Sequence, residues 1–496
     1  MTEADITRKI KKGAFVNFIG MLTKIIGGPV LFLVLTRMYG KVSIGIFFIA
    51  YNLVEILGGL AISGFIDATV MFASRHIHDE NNSDVFNSYM RKIILSTLLL
   101  STVLALLLVF GAPVLNKFYY KDYPELVPML QIMAFILPLE AVSRLAVAIP
   151  KAHLKMGVEV ITIGGVFPIA TLVLAVLFRL CDLGTVGTGL SFLLGWVITG
   201  VVSIFMLNRL VDIRKFMSFK FVYKPTPDLF TFAIAQNLNM ALNRLISSMD
   251  VLMLAGFGVK PGMIAFYSIG AQIVRNVRQV KLIFSGIYSP VIARHYHEGR
   301  ISELNNIFEK ITGWAISLGI PALFVVAFYR QDLVMLFDSS FNQNPDFMII
   351  LLINPFLSIA TGLTGNAIIM AGFSRWNLFN SITVGVLNFI FNLILIPHWG
   401  LMGAAVATAI SGTIVSIMQI IEARKLIGMV LSLKILSFWI ILGLLIFLWP
   451  FFPLFTRSTL VARLITGGGL MAIYAIFYFS LNKDLKFKKG TTNVST

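Results

Sequence analysis

Apolar stretches long enough to cross a bilayer follow one another along almost the whole chain, parted only by short polar loops. In hydrocarbon every backbone N–H and C=O must find its partner within the segment, so each stretch is expected to be a helix. Fourteen are read, at about residues 13–37, 44–70, 93–113, 126–149, 159–178, 185–207, 230–256, 264–290, 311–328, 347–371, 377–397, 401–422, 435–449 and 461–481. Of 496 residues, 57% are hydrophobic and only 13% charged, which excludes a soluble globular protein of this length. The chain reads as an all-α integral membrane protein with 14 transmembrane helices.

The formal net charge is +17, from 40 Lys+Arg against 23 Asp+Glu. In a soluble chain that excess would suggest nucleic acid; here it lies in loops and reports topology, so no nucleic-acid partner is expected. With the N-terminus inside, about 25 Lys and Arg fall in inner loops and tails and about 8 in outer ones. The expected orientation is N-in and C-in. The polar start, with Arg8, Lys9, Lys11 and Lys12, runs into an apolar segment too long for a signal peptide. The single cysteine, Cys181, excludes an intramolecular disulfide.

The chain also repeats itself. Arg75-His76-Ile77-His78-Asp79 matches Arg294-His295-Tyr296-His297-Glu298, and Tyr39-Gly40 matches Phe257-Gly258. Gly184-Thr185-Val186-Gly187 matches Gly400-Leu401-Met402-Gly403, while Asn17 and Lys24 match Asn237 and Arg244. Each repeat holds six spans, an even number, so both enter the membrane in the same sense and imply a pseudo-two-fold axis along its normal. The expected division is an N-terminal lobe over 1–208, a basic cytoplasmic linker over 209–229 and a C-terminal lobe over 230–425. Two further spans and a basic tail occupy 426–496.

Charges inside the spans carry the functional reading. Span eight holds Arg275, Arg278 and Lys281 on one helical face, with Gln272 one turn before them. At ~1.5 Å per residue Arg275 lies near mid-bilayer, where a cation facing lipid costs at least about 2.5–3.5 kcal/mol. These residues therefore face protein, as a structural ion-pair network, or a water-filled cavity that takes an anion. Lys24, Glu55 and Arg244 lie at similar depth in spans one, two and seven, and Asp250 lies further along span seven. The repeat register sets Glu55 opposite Arg275, either as a permanent bridge or as one that exchanges with a substrate anion. Glu55 and Asp250 are the candidates for ion coupling or gating. Glu140 and Arg144, four apart in span four, read as a helix-internal ion pair. The net positive set suits a phosphate or pyrophosphate, which arginine grips in bidentate fashion. The His pairs and Gly467-Gly468-Gly469 suggest neither a metal site nor a nucleotide loop, and no cofactor is expected.

With these residues in view the chain resembles the polysaccharide-flippase branch of the multidrug/oligosaccharidyl-lipid/polysaccharide exporter superfamily. The residues that carry the resemblance are Leu35-Thr36-Arg37-Met38-Tyr39-Gly40, the Ala-Ser-Arg-His and Ile-Ala-Arg-His exits of spans two and eight, and Gly400-Leu401-Met402-Gly403-Ala404-Ala405. Met370-Ala371-Gly372-Phe373-Ser374-Arg375 adds to them. The resemblance implies two six-helix lobes plus two C-terminal helices, in the bacterial inner membrane. It implies alternating-access transfer of an undecaprenyl-diphosphate-linked oligosaccharide, such as an O-antigen unit, to the outer leaflet. By position it gives Lys24, Arg275 and Arg278 a headgroup role, with Glu55 standing in span two where a cation is implied.

The resulting expectation is a flippase, not an enzyme, whose partners are a lipid-linked oligosaccharide, the bilayer and polysaccharide polymerase machinery. Arg275, Arg278, Arg244, Lys24 and Lys281 are expected around the diphosphate, with Gln272, Asn276 and Asn237 on the sugar. A multidrug or organic-cation antiporter of the same superfamily is the alternative. An oligosaccharide polymerase or ligase needs a long outer loop, and the longest here, about 329–346, is short.

Overall fold

A computed structural model of the chain describes residues 3–76, 83–119, 123–152, 155, 157–209, 227–361, 363–430, 466–469, 471–472 and 474. The expected linker, nearly all of spans thirteen and fourteen, and the basic tail lie outside the described residues, as do the side chains of Lys24 and Lys281.

Almost every described residue is helical, as the hydrocarbon argument requires. The helices are α1 (Glu3–Ala61), α2 (Ser63–His76), α3 (Ser83–Tyr119), α4 (Leu126–Ala134) and α5 (Ile136–Ala152). A single turn, α6 (Gly157–Glu159), leads through the wider turns of Val160–Val166 into α7 (Phe167–Leu180), followed by α8 (Gly184–Asn208). Next come α9 (Pro227–Gly256), α10 (Pro261–Val277), α11 (Gln279–His297), α12 (Ile301–Phe328) and the short α13 (Arg330–Met335). The series ends with α14 (Phe347–Ala360), α15 (Thr364–Met370) and α16 (Ser374–Glu422).

Among the described residues seven helical segments are long and apolar enough to cross a membrane, or eight if α14 and α15, bent by 49°, form one broken span. Two of the seven, Gly27–Ala73 and Arg375–Ile427, run to 47 and 53 residues, far beyond the ~20 that one crossing needs. Each is interrupted by a glycine with non-helical backbone, Gly40 (φ 76°, ψ 166°) and Gly400 (φ 53°, ψ −126°). Their positive φ angles are free of strain only without a Cβ. The partners that the repeat assigns to these glycines bend alike: Gly258 has φ 75° and Gly184 has φ 54°. The protein is thus a helical, multi-pass membrane protein.

Contacts gather the chain into two compact units. The first joins residues 1–276, 331–351 and 374–418. Its interior includes an aromatic cluster of Phe32, Phe47, Phe48, Tyr51 and Phe192, with Phe167 and Trp196 alongside. Large apolar side chains point outward from α3 and α16, with Leu99 68% and Phe110 76% exposed, as on a lipid-facing surface. The second unit, 277–330, 352–373 and 419–496, is centred on Tyr288, Ile292, Leu304, Phe308, Ile368 and Ile427. Within it Asn305 donates to the carbonyl of Gly428 at 3.3 Å and accepts from the amide of Val430 at 3.1 Å.

The expected uninterrupted helix over 264–290 is instead two helices, α10 and α11, with Arg278 at the break.

Candidate functional site

Helix α9 supplies most of the site, because one 30-residue element carries Gln236, Asn237, Asn239, Asn243, Arg244, Ser247 and Asp250 among apolar neighbours. Its closest partner is the α1–α2 strip, which continues across Ile62 because the amides of Ile62 and Ile66 donate to the carbonyls of Gly58 and Ile62. Two glycines set that approach. A Cβ on Gly59 would lie 2.8 Å from Cδ of Arg244 and 3.1 Å from Cα of Ala241. One on Gly64 would lie 2.7 Å from the amide nitrogen of Asn237, and closer still to the carbonyl oxygen of Ala233.

At this contact Nη1 of Arg244 donates to Oε2 of Glu55 and, at 3.3 Å, to the Glu55 carbonyl oxygen. Tyr51, four residues earlier on the same helical face, donates to Oε1 of Glu55 at 3.0 Å. This corrects the register expectation, which set Glu55 against Arg275. Glu55 pairs with Arg244, because the packing of α1 against α9 through Gly59 brings Arg244 to the level of Glu55. Further along the same strip Oδ1 of Asn237 accepts from the backbone amide of Gly64 at 2.6 Å, and Nε2 of Gln236 donates to Oδ2 of Asp67 at 3.0 Å. Asn237 is only 3% exposed. In this arrangement it ties two helices together and meets no solute.

Arg275 differs from Arg244. It is exposed, lies within electrostatic reach of Tyr51, Tyr267 and Asp250, and has no ion-pair partner within 4 Å among the described residues. Gln272, one turn earlier, directs its amide toward Gly28 of α1, and Asn276 is half-buried beside Arg275. Arg278 is exposed at the α10–α11 break. Glu140 and Arg144 form the expected pair at 2.6 Å, and the Arg144 guanidinium lies over Trp196, 5.7 Å from its centroid. Tyr51 stands within electrostatic reach of Arg144, Arg244 and Arg275 together.

Asp250 has a complete set of donors that sequence reasoning missed. Its Oδ2 accepts from the Tyr267 hydroxyl at 2.6 Å and the Thr408 hydroxyl at 2.7 Å. Its Oδ1 accepts from Nδ2 of Asn392 at 2.9 Å, with Nδ2 of Asn388 at 3.4 Å. Asn388 also donates to Thr408 at 2.9 Å, and Asn392 to Oδ1 of Asn388 at 3.0 Å. Asn392 is fully buried, yet its Oδ1 has no partner. The available signal was local: two amides four residues apart, Asn388 and Asn392, inside a membrane span.

The profile of the family described as polysaccharide biosynthesis protein matches residues 10–296, more than half of the chain. The chain belongs to that family. Among individual relatives, an uncharacterized membrane protein of Methanocaldococcus jannaschii is 21% identical over 431 residues, covering 82% of this chain and 83% of its own. Two solved structures share the fold of this polysaccharide biosynthesis protein at 14% identity. The lipid II flippase MurJ, in an inward closed conformation, has a TM-score of 0.67 and covers 95% of this chain and 99% of its own. A multidrug resistance MATE family transporter of the MOP superfamily, inward-facing, has a TM-score of 0.66 and covers 83% and 98%. The chain therefore shares its fold with these two proteins.

Proposed function

We propose that this protein is a flippase that carries a polyprenyl-diphosphate-linked oligosaccharide, an O-antigen or similar surface-polysaccharide unit, from the cytoplasmic to the outer leaflet. The observation that carries the reading is Arg275, a cation within an apolar span, open on one side and without an ion-pair partner among the described residues. Such a residue is costly unless it faces water or an anion, and a diphosphate offers the oxygens that a guanidinium grips in pairs. Membership of a polysaccharide biosynthesis family and likeness of fold to a lipid II flippase support the same substrate class. Lys24, Arg278 and Lys281 extend the cationic set, Arg244 joins it when Glu55 lets go, and Gln272 and Asn276 meet the sugar. Asn237 reaches sugar only once α1 and α9 have moved apart. Transfer runs by alternating access between two six-helix lobes in a bacterial inner membrane, N-in and C-in, with no catalytic step. Polysaccharide polymerase machinery takes the product.

Asp250 is the coupling group. One carboxylate ringed by two hydroxyls and two side-chain amides suits a monovalent cation or a proton, and turning the Asn392 amide would give its orphaned oxygen a ligand. A cation there cancels the negative charge within reach of Arg275 and leaves the full field of that arginine for the diphosphate. Cation and anionic lipid should therefore bind cooperatively, by about 1–3 kcal/mol, or roughly 5–150-fold in affinity. Lipid titrations with and without Na+, and at two pH values, test this; Asp250→Asn should abolish the dependence. Equal affinities in the wild type under all conditions would remove Asp250 from the mechanism.

The substrate test compares thermal stability of the purified wild type and Arg275→Ala with two ligands, a polyprenyl-diphosphate oligosaccharide and a lipophilic cation. A ligand at about 100 times its Kd adds roughly 2.7 kcal/mol to the folded state. The anionic lipid should stabilise the wild type and not the variant. Stabilisation by the lipophilic cation alone would favour an organic-cation antiporter of the same superfamily.

A further inference from the structure

Glu55 stands between two arginines, and one of them holds it. At ~100° per residue, Gly59 lies about 40° to one side of Glu55 on α1, while Gly58 and Tyr51 lie about 60° and 40° to the other. The two sides meet different helices. A Cβ on Gly59 would lie 2.8 Å from Cδ of Arg244 on α9, whereas one on Gly58 would lie 3.7 Å from Oε2 of Glu140 on α5. Glu55 therefore sits on the seam between α9 and α5. Arg244 donates to its Oε2 from the α9 side, and the Tyr51 hydroxyl donates to its Oε1 at 3.0 Å from the α5 side.

On the α5 side stands an ion pair with donors to spare. Nε of Arg144 donates to Oε1 of Glu140 at 2.6 Å, and its guanidinium carbon lies over the Trp196 ring of α8. Among the described residues the two terminal nitrogens of Arg144 donate to nothing, although a guanidinium fork can serve two carboxylates. The Arg144 side chain is 30% exposed and that of Glu140 only 7%, so the open part of the pair is its donor edge. Tyr51, which already holds Glu55, lies within electrostatic reach of both Glu140 and Arg144.

Charge creates the need for a second partner. Under alternating access α1 and α9 part, and Arg244 leaves with α9. Tyr51 stays with Glu55, because both are on α1, but one hydroxyl does not balance a carboxylate inside a span. The cations within reach of Tyr51 are Arg144, Arg244 and Arg275. The last two are assigned to the diphosphate, which leaves Arg144.

We propose that Arg144 is a positioning residue for substrate transfer: its free terminal nitrogens receive the Glu55 carboxylate when Arg244 lets go, which releases Arg244 to the diphosphate. The fate of Arg244 rests on the flippase reading; the exchange of partners does not. One guanidinium then bridges Glu140 and Glu55, and Tyr51 donates to Glu55 before and after. The remaining negative charge is left to water in the parted cleft. Arg144 itself touches no substrate.

The exchange is tested first without ligand, by thermal melting of the purified full-length protein. The probe is the neutral pair Glu140→Gln with Arg144→Gln, which removes the arginine without leaving Glu140 unpaired. It is introduced into the wild type, into Arg244→Gln, and into both again with Glu55→Gln. With Arg244 gone Glu55 depends on Arg144, so the neutral pair should lower the melting temperature about twice as far in Arg244→Gln as in the wild type. Glu55→Gln should remove that excess, because no carboxylate is left to hand over. Additive effects overturn the proposal. So does an excess that survives Glu55→Gln, which would mark general weakening.

The second arm is affinity for a polyprenyl-diphosphate oligosaccharide. The neutral pair should weaken binding about fivefold or more, since Glu55 then keeps Arg244. Adding Glu55→Gln should restore it, a rescue expected neither from a structural role nor from direct contact between Arg144 and the lipid. Unchanged binding, or a loss that Glu55→Gln does not rescue, overturns the proposal. A wild type that does not bind the lipid overturns the flippase reading, while the melting arm still decides the exchange. Where the neutral pair folds poorly, Arg144→Lys keeps a cation beside Glu140 but offers one nitrogen in place of three, and carries the same comparison.

Discussion

Replacing Glu55 by glutamine should cost about 3 kcal/mol of folded-state stability, because it leaves the Arg244 guanidinium without its carboxylate between packed helices. That figure is at the low end for a buried pair, since the two side chains remain 25% and 28% exposed. Arg244→Gln should cost less, because Glu55 keeps the hydroxyl of Tyr51 at 3.0 Å. The exchanged pair, Glu55→Arg with Arg244→Glu, should recover much of the loss, and a double-mutant cycle by thermal or denaturant melting measures the coupling. Function should divide differently. If Arg244 takes a diphosphate oxygen when Glu55 releases it, the exchanged pair regains stability without regaining binding of the anionic lipid, because the cation then stands on α1. Recovery of both would make the pair a brace and confine the anion site to Arg275 and its own helices.

That pair also shows where sequence reasoning stops. Features that depend on neighbours along the chain were legible: the apolar, helical character of the spans and the Glu140–Arg144 bridge, whose spacing of four fixes it. The register between Glu55 and Arg244 was not. It depends on how deeply α1 and α9 settle into each other through Gly59 and Gly64, a packing property with no local trace. Asn237 illustrates the same limit from the other side. An amide in a span is equally consistent with a solute or with a backbone amide, and here the amide of Gly64 claims it. The donors about Asp250 of α9 come from α10 and α16, far apart in sequence, so only Asn388 and Asn392, four apart, gave any warning. Helix α9 is less apolar than the seven segments that qualify on composition, although the sequence marks a span over 230–256. Its polar content is what equips the site.

Gly64→Ala should be strongly disruptive for the addition of one methyl group. The new carbon would lie 2.7 Å from the backbone nitrogen of Asn237, and closer to the carbonyl oxygen of Ala233. Both are backbone atoms of a helix, so no side-chain rotation relieves the clash and α9 must move away from α2. Separation breaks the bond between the Gly64 amide and Asn237 and leaves two buried polar groups without partners, at about 1–3 kcal/mol each. It also loosens the neighbouring Gln236–Asp67 bond. Hydrogen–deuterium exchange should then quicken over 233–241, and melting should fall by several °C. Under alternating access this contact must part whenever substrate passes between α2 and α9, so the methyl should bias the protein toward the parted form. Lipid-linked oligosaccharide should bind the Gly64→Ala variant at least as tightly as the wild type, with turnover reduced because the closed half of the cycle is penalised. A variant that melts and exchanges like the wild type would mean that α2 and α9 do not meet at Gly64. One that loosens but loses binding would mean that the closed contact is part of the binding site and not a gate before it.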